Sequence, residues 1–91
     1  MNKTRRNILI KTIAELETLK SQLDSIKEDI ESVHDEEDDC YSNLPDGIQM
    51  SERGDIMQEN IDNLSDAASQ LDDEISNIDD IIDAINDVIE R

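Results

Sequence analysis

The 91-residue sequence predicts an all-α fold: an antiparallel two-helix coiled-coil hairpin, open to dimerisation into a four-helix bundle. Three observations point there. The residue types are those of long amphipathic helices, apolar residues recur every seven positions in both halves, and turn chemistry is confined to one short segment.

Composition comes first. Tyr41 is the only aromatic residue, with no Phe or Trp, and two Gly and one Pro complete the inventory of punctuating residues. Aromatic side chains usually dominate closed cores and ligand pockets because each buries a large area. Their scarcity speaks against a globule with a cavity, and the scarcity of Gly and Pro speaks against β-rich structure. High charge with few aromatics is also a signature of disorder, and regular apolar spacing is what separates the two readings.

The first helix is predicted over 4–41. Leu9, Leu16, Leu23 and Ile30 recur at seven-residue intervals, and Leu19, Ile26 and Val33 follow three residues after the last three of them. Apolar residues at the a and d positions of consecutive heptads make a helix–helix seam. Thr12, Glu37 and Cys40 fall on the same seam, which makes Cys40 a small buried apolar thiol. A second helix over 51–90 repeats the pattern without polar interruption: Met57, Leu64, Leu71, Ile78 and Ile85 in one row, Ile61, Ala68, Ile75, Ile82 and Ile89 in the other. Ile13, Ile81 and Val88 flank these rows and widen the stripe at the open end, beyond what two helices need.

The connector is 42–50. Pro45 fixes φ for a turn, and Asp46 and Gly47 supply residues that tolerate unusual dihedrals. Ser51 is a candidate N-cap with Glu52 and Asp55 favourably placed against the helix dipole, and Gly54 on a seam position permits close backbone approach. Folding about Asp46 and Gly47 sets Ile30 near Leu64, Leu23 near Leu71 and Leu16 near Ile78, and brings Arg5 and Arg6 beside Asp87 and Glu90. The apolar residues Tyr41, Leu44, Ile48 and Met50 either plug the end of the rod or form a docking tip.

Charge narrows the function. There are 25 acidic and 8 basic side chains, a net of −17. Residues 1–27 hold six basic and three acidic groups, while 28–91 hold two basic and 22 acidic. Phosphates would be repelled by the longer part, so direct nucleic-acid binding is not expected. A protein with a basic surface is the expected partner, and long-range attraction would speed the encounter.

The main candidate site is the outer face of the second helix. Glu52, Glu59, Asp66, Asp73, Asp80 and Asp87 recur every seven residues opposite the seam, about 10 Å apart by helical rise, flanked by Asp55, Asp62, Asp72, Asp79, Asp83 and Glu90. The row is a sparse imitation of a phosphate backbone. Asp forms helices less well than Glu, so its use suggests that charge position matters; the plain alternative is a solvated face that keeps the rod soluble. A second candidate is the tip, with Asp38, Asp39, Tyr41, Leu44 and Ile48. The acidic run Asp35–Asp39 lacks the spaced ligands and central Gly of a calcium loop, so no metal or cofactor is expected. Single His34 and Cys40 offer neither a zinc set nor a supported nucleophile; the sequence predicts a protein that is not an enzyme. A lone cysteine, no run long enough to span a bilayer and an N-terminal apolar stretch too short for a signal peptide predict a cytoplasmic protein.

The connector Tyr41-Ser42-Asn43-Leu44-Pro45, followed by Gln49-Met50-Ser51-Glu52-Arg53, resembles that of small, acidic, uncharacterised helical-hairpin proteins encoded by bacteria, their phages and other mobile elements. In specific identity it covers about a dozen residues, and no site residues transfer from it. Proteins of that kind share no general function to carry over; a mobile-element origin favours an inhibitor of host defence, of anti-CRISPR or anti-restriction type, acting in the host cell cytoplasm on a CRISPR or restriction nuclease. The competing expectation is a self-associating structural or assembly coiled coil.

Overall fold

The computed structural model describes residues 1–91 and is helical almost throughout, with no strand. Two long helices, α1 (Lys3–Ser42) and α3 (Glu52–Glu90), are joined through one short turn of helix, α2 (Asp46–Gln49). The molecule measures 69 × 15 × 14 Å. A 40-residue helix is about 60 Å long, so the two long helices fit only side by side, and they pack together along their length. No helix is long and apolar enough to cross a membrane.

α1 begins one residue earlier than the pattern predicts because Asn2 caps it: its side-chain oxygen accepts the Arg5 backbone N–H at 2.8 Å, satisfying an otherwise free donor of the first turn. Ser51 occupies the N-cap position of α3 with extended dihedrals, but its hydroxyl is donated back to the Ile48 carbonyl rather than capping α3. The Asp46–Gly47 pair does not make the predicted turn. No residue has a positive φ; Pro45 instead stands at the N-cap of α2, its carbonyl accepting the Ile48 and Gln49 N–H groups.

α3 presents its two apolar rows as predicted. Ile61, Ala68, Ile75, Ile78 and Ile82 are buried, and Met57, Leu64, Leu71, Ile85 and Ile89 are half-buried. α1 departs from the prediction. Leu9, Leu16, Leu23 and Ile30 face α3 and are half-buried, but Leu19, Ile26 and Val33 are 44%, 48% and 51% exposed, and Cys40 is exposed too. The second seam row is Arg6, Ile13, Lys20, Lys27, His34 and Tyr41, each half-buried. α1 is thus rotated so that its mixed polar row, not its second aliphatic row, meets α3. Ile13 belongs to the seam rather than its flank, while Ile81 and Val88 stay exposed.

The register also differs. Lys20 Nζ lies 2.7 Å from Asp79, and Lys27 Nζ 2.5 Å from Asp72. Both pairs are centred between residues 49 and 50, so the chain reverses there and not at Asp46–Gly47. Leu23 comes level with Ile75 rather than Leu71, Ile30 with Ala68 rather than Leu64, and Leu16 with Ile82 rather than Ile78. By this register the backbone of Arg5 and Arg6 comes level with positions just beyond Arg91, and neither side chain forms the expected ion pair with Asp87 or Glu90.

Gly54 is what lets the chain return so tightly. It is buried, and a Cβ there would stand 2.0 Å from the Gln49 carbonyl oxygen and 2.7 Å from that of Ile48. Gly47 has nothing within 4 Å of a Cβ and a helical backbone. Urea denaturation should therefore separate the two: Gly54→Ala is expected to destabilise by about 1–3 kcal/mol through overpacking against backbone. Gly47→Ala should be neutral or stabilise by about 0.5–1 kcal/mol through lower unfolded-state entropy.

Candidate functional site

The outer carboxylates of α3 follow from its periodicity. Because the two apolar rows face α1, the positions diametrically opposite must face solvent, and those are Glu52, Glu59, Asp66, Asp73, Asp80 and Asp87, all exposed. None of the six takes part in an ion pair. Asp62 and Asp83 stand exposed one row to the side; Asp62 accepts a hydrogen bond from Gln58 Nε2 at 3.2 Å. The eight carboxylates line one edge of a rod, at a spacing along the central row of about 10 Å.

Asp72 and Asp79 do a different job. They sit beside the seam, and the Lys27 and Lys20 ammonium groups reach them across it. Lysine can occupy such a half-buried seam position because its methylene stem covers apolar surface while the charged head reaches the edge. Glu31, one turn along α1, also approaches Lys27 at 3.3 Å. The ten predicted acid-face residues therefore divide into eight carboxylates outside any ion pair and two that pair with lysines across the seam. The sequence reading missed the role of Lys20 and Lys27. The signal was there: each falls four residues after a Leu of the α1 row that does face α3.

Beside the Lys27–Asp72 pair lies a cleft of about 220 Å³ lined by Lys27, Glu31, His34, Leu64, Ser65 and Asp72, among others. Clefts that take small-molecule ligands usually exceed about 300 Å³ and are mostly apolar. His34 Nδ1 lies 3.0 Å from the Asp35 carboxylate, a local contact on one helix. No three His, Cys, Asp or Glu side chains converge on a point, the Asp35–Asp39 run included, since consecutive helical residues point in different directions.

At the tip, Tyr41 and Leu44 are half-buried, and Gln49 Nε2 donates to the Tyr41 carbonyl at 2.9 Å, drawing α2 onto the end of α1. Ile48 is 37% and Met50 85% exposed, with Asp38 and Asp39 exposed nearby. Half of the apolar connector thus covers the helix ends and half faces outward.

The inter-helix ion pairs have a pH signature. The hydrogen bond that the Lys20 ammonium donates to Asp79 holds it above the ordinary lysine value of 10.5, against a smaller opposing effect of desolvation, and the charges of Asp79, Asp24 and Glu17 add to it. Lys27 is raised likewise, first by its hydrogen bond to Asp72, with Glu31 contributing. A group whose folded value lies above its unfolded one stabilises fully below the unfolded value and loses that contribution as pH rises through the folded one. Chemical denaturation between pH 9 and roughly 12 should show the wild type losing more stability above 10.5 than the Lys20→Met/Lys27→Met variant. Equal losses would mean that the pairs contribute nothing.

No protein-family model, curated protein or solved structure matches the chain.

Proposed function

We propose that this chain is a non-enzymatic protein-binding module: an antiparallel helical hairpin whose acidic edge docks on a basic surface of a nucleic-acid enzyme. In that role it would act as an inhibitor in place of nucleic acid, as anti-CRISPR and anti-restriction proteins do. The observation that carries this reading is the division among the acids of α3. Asp72 and Asp79 are consumed by lysines across the seam, whereas Glu52, Glu59, Asp66, Asp73, Asp80 and Asp87 form an exposed row with no cation of the chain in contact. A rigid helix holds such a row at fixed spacing, so a basic groove shaped for a phosphate backbone could meet several carboxylates at once. Much of the attraction would be long-range and screened beyond about 8 Å at physiological salt.

A second reading, a self-associating structural bundle whose acids only maintain solubility, is favoured by the exposed aliphatic row of α1. The two readings use different faces and are compatible.

Capture from a host lysate at low and high salt tests the first reading. The wild type should retain nucleic-acid-binding proteins at low salt, duplex DNA should compete for them, and high salt should release them. Replacing Asp66, Asp73, Asp80 and Asp87 by Asn should lower capture at least tenfold on the order of 1.4 kcal/mol, with helix content unchanged by circular dichroism. A partner set without any nucleic-acid-binding protein, or capture indifferent to the four substitutions, would sink it.

A further inference from the structure

α1 withholds its second aliphatic row from α3. Leu19, Ile26 and Val33 are each about half exposed, and Thr12 of the same row donates its hydroxyl to the Ile8 carbonyl of its own helix, leaving little polarity to solvate. By the register of the ion pairs, Ile81 and Val88 of α3 come level with Leu19 and Thr12, and both are exposed. Beside Leu19 and Ile26 the outside of α1 mixes the small, uncharged Ala14, Thr18, Ser21 and Ser25 with Lys11, Glu15 and Gln22. The total accessible surface, 6541 Å², exceeds by about 1,100 Å² what a folded monomer of this mass typically exposes. A stable interface takes about 800 Å² from each partner.

Charge says what covers the row. α1 has no acid in its first turn and no base in its last, so both ends oppose its dipole. Lys3, Arg5 and Arg6 have no ion pair within the chain, and the Arg6 Nε is buried with no hydrogen-bond partner. At the other end the acids of Asp35–Asp39 meet no lysine or arginine. The open end of the molecule is net positive: residues 1–11 carry four bases and no acid, and 81–91 carry three acids and Arg91. The tip, 35–62, carries ten acids and Arg53. The row itself, Arg5-Thr12-Leu19-Ile26-Val33-Cys40, is symmetric about the midpoint between Leu19 and Ile26. A two-fold axis there sets Leu19 against Ile26 of a second copy, Thr12 against Val33, and Arg5 beside Cys40, among the second copy's Glu36 and Asp39.

We infer that the occupant of this face is a second copy of the chain, packed with α1 antiparallel to α1 so that each basic open end lies on the other's acidic tip. This rests on the self-association reading and goes beyond it by fixing the face and the register. The interface is isologous, as a two-fold requires. It corrects both ends of α1 at once, since each helix terminus gains charge of the sign its dipole favours. It also leaves the outer acid row of α3 facing solvent on both copies, so a dimer presents two such edges. The repulsion between two acidic chains is least here, because the contact joins the parts of the surface where acid is sparse or matched.

Sedimentation equilibrium and disulfide trapping on the full chain test this together. The wild type, 10.4 kDa per chain, should sediment as a dimer, and Leu19→Asp/Ile26→Asp as a monomer. In the proposed register the two Cys40 thiols are about 50 Å apart by helical rise, so oxidised wild type should not cross-link. Arg5→Cys should give a covalent dimer that reductant dissolves; within one chain the same two positions are also about 50 Å apart on one helix, so the bond can only be intermolecular. A monomeric wild type would overturn both the register and the self-association reading. A dimer in which wild-type Cys40 cross-links to itself, and Arg5→Cys no better, would overturn the register alone and leave self-association standing. The substituted position is exposed near a helix end, and circular dichroism checks that helix content is retained.

Discussion

The rotation of α1 about its own axis is the constraint from which the rest of this molecule follows. A helix can turn only one stripe toward a single neighbour, and α1 carries two that share Leu9, Leu16, Leu23 and Ile30. One stripe adds Leu19, Ile26 and Val33; the other adds Ile13, Lys20, Lys27, His34 and Tyr41. The second faces α3, and it does so where Asp72 and Asp79 stand ready on one flank to receive the lysines. Once that choice is made, the register, the exposed aliphatic row and the position of the free carboxylates are all set.

Energetically the choice is unusual for an isolated chain. Burying a Leu, Ile or Val side chain is worth about 1.5–3 kcal/mol relative to full exposure, so three half-exposed aliphatics forgo a few kcal/mol in sum. Ion pairs as open to solvent as these contribute little. α3 contributes all six buried residues and α1 none, and no side chain is fully sealed. The pair is therefore a thin structure with one apolar side unused, and a partner that covers that side would recover what the monomer leaves in water.

The same rotation sorts the acids into working classes. Carboxylates next to the seam pair across it, Asp38 and Asp39 stand without an ion pair at the unfavourable end of the α1 dipole, and those on the outer row of α3 meet no cation of the chain. Composition alone counts them together as net charge. Only position relative to the seam distinguishes an acid that ties two helices from one that is free to meet a basic surface.

The sequence by itself determined the two long helices, their lengths, the apolar face of α3 and hence its outer acid row, because a ten-position heptad run with no polar break admits one phase. It also marked Gly54, whose missing side chain the close return over Gln49 requires. It did not determine the phase of α1, since Leu9, Leu16, Leu23 and Ile30 serve either stripe, and apolarity alone pointed to the wrong one. Nor did it determine the reversal point: Pro45-Asp46-Gly47 has turn chemistry, yet it winds into α2 and the chain turns at 49–50. Those decisions belong to tertiary structure, because the groups that report them, Lys20 with Asp79 and Lys27 with Asp72, lie dozens of residues apart and become neighbours only when the helices pack.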